Sequence, residues 1–104
     1  MSTVQKVFPV EPGAVWNALP SGLAAVKGRS EIYDSQRGLL SFNTGMTGLT
    51  WGLEFAAQVQ PGPQGTVLSV TSNLKMGFID WGEGKRRATK FADAVGVALG
   101  CRFS

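Results

Sequence analysis

Histidine is absent from this chain of 104 residues. With it go the usual general base near neutral pH and the commonest metal ligand. The single cysteine, Cys101, excludes an intrachain disulfide or a cysteine-held zinc cluster, so nothing points to an oxidising compartment and a cytoplasmic setting is the default expectation. It falls past the last expected helix, beside Arg102, with no base at hand to make a thiolate. Charge is sparse too: ten Lys and Arg against seven Asp and Glu give a net +3, ordinary for a soluble domain. The acids, Glu11, Glu31, Asp34, Glu54, Asp80, Glu83 and Asp93, are scattered. Glu31 and Glu54 fall on neighbouring expected strands and could face one another, but solvated sheet positions are the commoner explanation. The expectation is therefore a protein that is not an enzyme and needs neither cofactor nor metal. No window approaches the ~18 consecutive apolar residues that span a bilayer. The opening MSTVQKVFPV lacks a basic region followed by an apolar run, and Pro9, Glu11 and Pro12 argue against a signal peptide. Repeats and low-complexity tracts are missing as well.

What is present is an apolar content of 43%, enough for one domain with a modest core. TVQKVFPV puts Val4, Lys6, Phe8 and Val10 on one face and reads as a strand that Pro9 confines to an edge or an end. EPGAVWNALPSGLAAVKG follows with Pro12 suited to a first helical turn and Val15, Leu19, Leu23 and Val26 on one side. Pro20 interrupts that pattern, which predicts a kink or two short helices divided near Leu19, and Gly28 is the expected stop. Period-two alternation takes over next. RSEIYD and GLLSFNTG form a hairpin around SQRG, and TWGLEFAAQVQ alternates Trp51, Leu53, Phe55, Ala57 and Val59 with wetter positions. The turn PGPQG returns the chain as TVLSVTSN, completing a four-strand antiparallel meander.

Asp80, with Glu83 three residues on, has the form of a capping box for a final helix. Ala88, Phe91, Ala92, Val95, Ala98 and Leu99 fall on its apolar stripe, Lys90 and Asp93 lie outside it, and Gly100 ends it. The fold class is α+β: an antiparallel sheet of about five strands in the order β-α-β-β-β-β-α, with a kinked N-terminal helix and a long C-terminal helix on one face.

The segment GEGKRR at the start of that helix invites comparison with a phosphate-binding loop. The P-loop pattern needs a glycine where Ile79 stands and Ser or Thr where Arg86 follows Lys85, so nucleotide chemistry is rejected. Lys85, Arg86 and Arg87 nevertheless sit in early turns, where cations oppose the helix dipole by about 0.3–1 kcal/mol each. Two explanations stand: an anion site for a phosphate, carboxylate or lipid headgroup, or a solvated shoulder in which Glu83 pairs with Arg86 or Arg87. Base stacking on Trp51, Trp81, Phe78 and Phe42 beside these cations is less favoured, because Trp51 shares the most regular apolar strand face, so nucleic acid is an unlikely partner.

Element order, together with FNTGMTGLTWGLEFAAQV and FIDWGEGKRRATKF, resembles the helix-grip, START-like (SRPBCC) superfamily that includes polyketide cyclases, pollen allergens and lipid-transfer domains. More narrowly, Thr50, Trp51 and Gly52, then Asp80, Trp81, Gly82 and Lys85 to Arg87, are similar to motifs of short bacterial proteins of that kind. The resemblance spans nearly the whole chain and implies a cavity between the long helix and the sheet that takes apolar ligands. It carries over no catalytic residues. This chain lacks the extra segments that widen the cavity in well-known ligand binders, so a large pocket is not implied. The expected ligand is small and apolar or amphipathic, possibly anionic. Trp51, Leu53 and Phe55 would face Phe91, Val95 and Leu99, with Trp81, Lys85, Arg86 and Arg87 at the mouth. The alternative is a closed core whose surface serves protein association, including a homodimer.

Overall fold

The computed structural model describes residues 2–44, 53–74 and 83–100. Strand β1 (Ser2–Phe8) leads into helix α1 (Pro12–Val26), then β2 (Arg29–Asp34), β3 (Leu39–Thr44), β4 (Leu53–Gly62), β5 (Gly65–Leu74) and helix α2 (Glu83–Leu99). The five strands form one antiparallel sheet in the order β1-β5-β4-β3-β2. This is the expected meander, closed by the first strand pairing with the last. Phe8 faces Thr66 and Ser2 faces Ser72, so β1 and β5 run in register throughout.

The registers give the sheet two distinct ends. Phe8, the β2–β3 turn and the β4–β5 turn share the near end; Ser2, Arg29, Thr44, Leu53 and Leu74 share the far end. Helix α1 leaves β1 at the near end and delivers the chain to β2 at the far end. Helix α2 starts from the far end of β5 and runs back, so the helices lie antiparallel, packed on each other and on the same sheet face.

Alternation decides which side chains fill the space between. Leu40 and Phe42, Phe55, Ala57 and Val59, and Leu68 and Val70 point inward and are buried, and meet Val15, Leu19, Leu23 and Val26 of α1 and Ala88, Phe91, Ala92 and Val95 of α2. The outer face is largely Ser, Thr, Gln and Asn, with Val7 and Ile32 exposed among them. Glu54 and Glu31 do not face one another: they sit on β4 and β2, which β3 separates by about 10 Å.

Three local expectations change. Pro20 does not divide α1 into two helices; a single helix contains it. Its ring is on the exposed side and costs one backbone hydrogen bond, while Leu19 and Leu23 beside it are anchored in the core. The helix ends at Val26, two residues before Gly28. Lys27 adopts the left-handed conformation (φ 56°, ψ 47°), its N–H donates to the Ala24 carbonyl at 3.3 Å, and the Gly28 N–H donates to the Leu23 carbonyl at 2.9 Å. Glycine is needed at 28 for a steric reason: a Cβ there would lie 2.6 Å from Leu23 Cδ2 and 2.9 Å from Phe42 Cδ2. Finally, Ala98 is exposed rather than part of the buried stripe of α2, which Gly96 joins instead. The Asp80 capping expectation lies outside the described residues.

The β4–β5 turn is tighter than PGPQG suggests, because Gly62 and Gly65 already pair and only two residues connect them. Gly65 has φ +136°, and a side chain on it would run into the Phe8 carbonyl. Only glycine lets β1 finish so close to the hairpin.

Candidate ligand-binding site

At the far end, strand pairing builds a row across the inner face: Phe42 on β3 opposite Phe55 on β4, opposite Ser72 on β5. Phe42 and Phe55 stack at 5.1 Å between ring centroids and 7° between planes. Phe91 of α2 also stacks on Phe42, at 5.1 Å between centroids and 17° between planes. The three rings form a floor between sheet and helix. Phe91 and Val95 are completely buried, Phe55 is 3% exposed, and Leu99 packs half-buried against the core near the other end of the helix.

Two hydroxyls flank this floor. Ser72 lies directly across from Phe55, and Thr44 is two residues along β3 from Phe42. Both are buried, and among the described residues neither oxygen has a hydrogen-bond partner. An unsatisfied buried hydroxyl costs about 1–3 kcal/mol, so such a group is expected to meet an atom from outside the fold.

A cavity of about 270 Å³ opens at the same end between the helices, lined by Val26, Arg86, Arg87 and Lys90. Lys85 and Arg86 are exposed and Arg87 is half-buried. The cations oppose their own helix dipole, but the C-terminal end of α1, where Val26 lies, meets them from the other side. Each helix end is equivalent to only about half a charge, so the two roughly cancel and leave the side-chain charges to set the field. Cationic groups around one apolar side chain can receive an anion whose remainder is apolar.

Of the expected site residues, Phe55, Phe91 and Val95 therefore meet in one core, and Arg86 and Arg87 line one cavity with Lys85 beside them. Leu53 begins β4, paired with Thr44 and Leu74. Trp51 and Trp81 lie outside the described residues. The sequence reading missed Thr44, Ser72, Val26 and Lys90. Two steps of alternation from Phe42 and from Val70 put both hydroxyls on the inner face, so their position was readable, whereas their lack of a partner was not.

Two other clefts occur. One of about 490 Å³ at the near end runs between Trp16 of α1 and the turn at Arg37 and Gly38; one of about 400 Å³ lies on the outer face beside Ile32 and Glu54. Trp16 meets the Tyr33 ring edge-on at 5.6 Å. Among the described residues no group of His, Cys, Asp or Glu could hold a metal ion, and no helix is long and apolar enough to cross a membrane.

An antiparallel sheet with both helices on one face, the second of them long and C-terminal, is a helix-grip-like fold, resembling that of the START, Bet v 1 and SRPBCC proteins. Among solved structures, protein MLL2253 from Mesorhizobium loti superposes with a TM-score of 0.60 at 14% identity, covering 95% of this chain and 96% of that one. Ara h 8.0201 superposes with a TM-score of 0.53, also at 14% identity, over 95% and 97% of the two chains. No protein-family model matches the sequence, and no curated protein matches it. At this identity the likeness extends to the fold.

Proposed function

We propose that this protein is a non-enzymatic binder of a small amphipathic ligand with an acidic headgroup, held between the far end of the sheet and α2. The observation that carries the reading is the cavity at the same end, lined by Val26, Arg86, Arg87 and Lys90. The headgroup would meet the cations and the apolar body would lie toward the rings. The chain carries no histidine, the usual general base near neutral pH.

The test is thermal unfolding of the full chain with saturated fatty acids of graded length, alongside mass spectrometry of whatever co-purifies. Binding only the native state must raise the melting temperature. Replacing Arg86 and Arg87 together by Ala should weaken affinity about tenfold or more, the worth of a lost charge-assisted contact. Unchanged affinity would remove the headgroup site. A second reading, a closed core used for self-association, draws on the complete burial of Phe91 and Val95. It predicts no stabilisation by any amphiphile and a mass that grows with concentration in light scattering.

A further inference from the structure

Three polar side chains are buried on the inner face of the sheet among the described residues: Thr44, Thr66 and Ser72. Their fates differ by end. At the near end the Thr66 hydroxyl donates to the Val10 carbonyl at 2.6 Å, joining β5 to the chain just past β1. At the far end the Thr44 and Ser72 hydroxyls have no partner among the described residues. Valine or alanine would fill the same space without leaving a polar atom unpaired, so for these two the fold supplies no reason to carry oxygen.

Their placement supplies one. Ser72 and Thr44 stand on either side of Phe55, two strands apart and offset by two residues. Strand geometry separates such positions by about 12 Å, too far for one polar atom to serve both. Each needs its own partner along the wall where the apolar body of a ligand would lie. Resting on the ligand-binding reading above, we propose that Thr44 and Ser72 form an oxygen-recognition subsite, and that the ligand is an amphipathic acid whose apolar body carries a hydroxyl or carbonyl oxygen. A hydroxyl side chain can donate to a carbonyl or accept from a hydroxyl, so the subsite admits either. It selects against the unsubstituted hydrocarbon, which would leave the protein hydroxyls unpaired in the complex.

The experiment titrates the full chain with matched pairs: stearic acid against chain-hydroxylated and keto stearic acids, and lauric acid against hydroxylauric acids. The expected result is a preference on the order of tenfold for an oxygenated member. Thr44→Val and Ser72→Ala should each reduce that preference, keep the affinity for the parent acid, and leave the ligand-free melting temperature unchanged or higher. Thr44→Ser, which retains the hydroxyl, should keep it. Equal affinity for both members of every pair would overturn the subsite alone and assign the hydroxyls to a buried water. A preference that survives both substitutions, or failure of Thr44→Val and Ser72→Ala to fold, would also overturn it. Binding of neither member would remove the ligand-binding reading itself and the subsite with it.

Discussion

Replacing Gly22 by Ala should destabilise the protein although helix propensity alone favours the change. In a helix interior alanine is about 1 kcal/mol better than glycine. Here a Cβ would lie 2.8 Å from Cδ2 and Cε2 of Phe91 and 2.9 Å from its Cγ. Carbon pairs rest near ~3.5–4.0 Å, so the ring would have to retreat by about 1 Å. It cannot do so freely, because Phe91 is fully buried and stacked on Phe42, which is stacked on Phe55. Overpacking of this kind costs about 1–3 kcal/mol, which leaves a net loss of roughly 0–2 kcal/mol. Gly13 in the same helix has nothing within 4 Å of its would-be Cβ, so Gly13→Ala should gain up to about 1 kcal/mol. At about 4–8 °C per kcal/mol for a domain of this size, the two variants should melt roughly 10 °C apart, on opposite sides of the wild type. Urea unfolding of both gives the free energies directly. In a Phe91→Leu background the Gly22→Ala penalty should shrink, which a double-mutant cycle measures. A Gly22→Ala protein as stable as Gly13→Ala would refute the close helix contact.

Thr66→Val removes the 2.6 Å bond to the Val10 carbonyl and should lower the unfolding free energy by about 1–3 kcal/mol in denaturant titrations. Gly65→Ala forces a left-handed backbone position and a collision with the Phe8 carbonyl, so a loss of about 3 kcal/mol or more is expected, with early loss of hydrogen-exchange protection in β1. Burial, and after it the nearby Glu31 carboxylate, raises the Tyr33 phenol above its ordinary value. The folded state therefore holds this proton more tightly than the unfolded chain. That contribution is complete below the unfolded pKa near ~10 and is lost as pH rises through the folded value, so Tyr33→Phe should flatten the alkaline fall in melting temperature.

Element order, the meander and most of the core were legible because period two and period 3.6 were strongly written in TWGLEFAAQVQ and ATKFADAVGVAL. What failed was local and steric. Gly28 looked like a helix stop by its conformational freedom, yet it is glycine because Leu23 and Phe42 crowd it, and Lys27 takes the left-handed position instead. Pro20 left both a kink and two short helices open, and the single helix shows that its missing donor is one local loss set against the buried face of α1. For the candidate site, the cations on the first turns of α2 could be read off the chain, whereas their partner surface could not. Val26 reaches them only because α1 ends where α2 begins, a consequence of both helices crossing one sheet in opposite directions.

That arrangement also explains why overall charge was a poor guide. Lys27 and Arg29 bracket the junction where α1 ends and β2 begins, and Lys85, Arg86, Arg87 and Lys90 lie in the first turns of α2, six of the ten basic residues in the sequence. A net charge of +3 spread over the surface would mean little, but on the proposed reading cations gathered at one end would steer an anionic ligand toward it. The near end has the opposite character: the chain closes on itself there through the Thr66 bond to Val10, the Val59 N–H bond to the Gly38 carbonyl at 2.8 Å, and the glycine that admits Phe8. One end of the sheet thus satisfies its buried polar groups internally while the other leaves two hydroxyls unpaired beneath a cationic rim. The proposed acidic amphiphile would complement that second end in order, charge outside and oxygenated apolar body within.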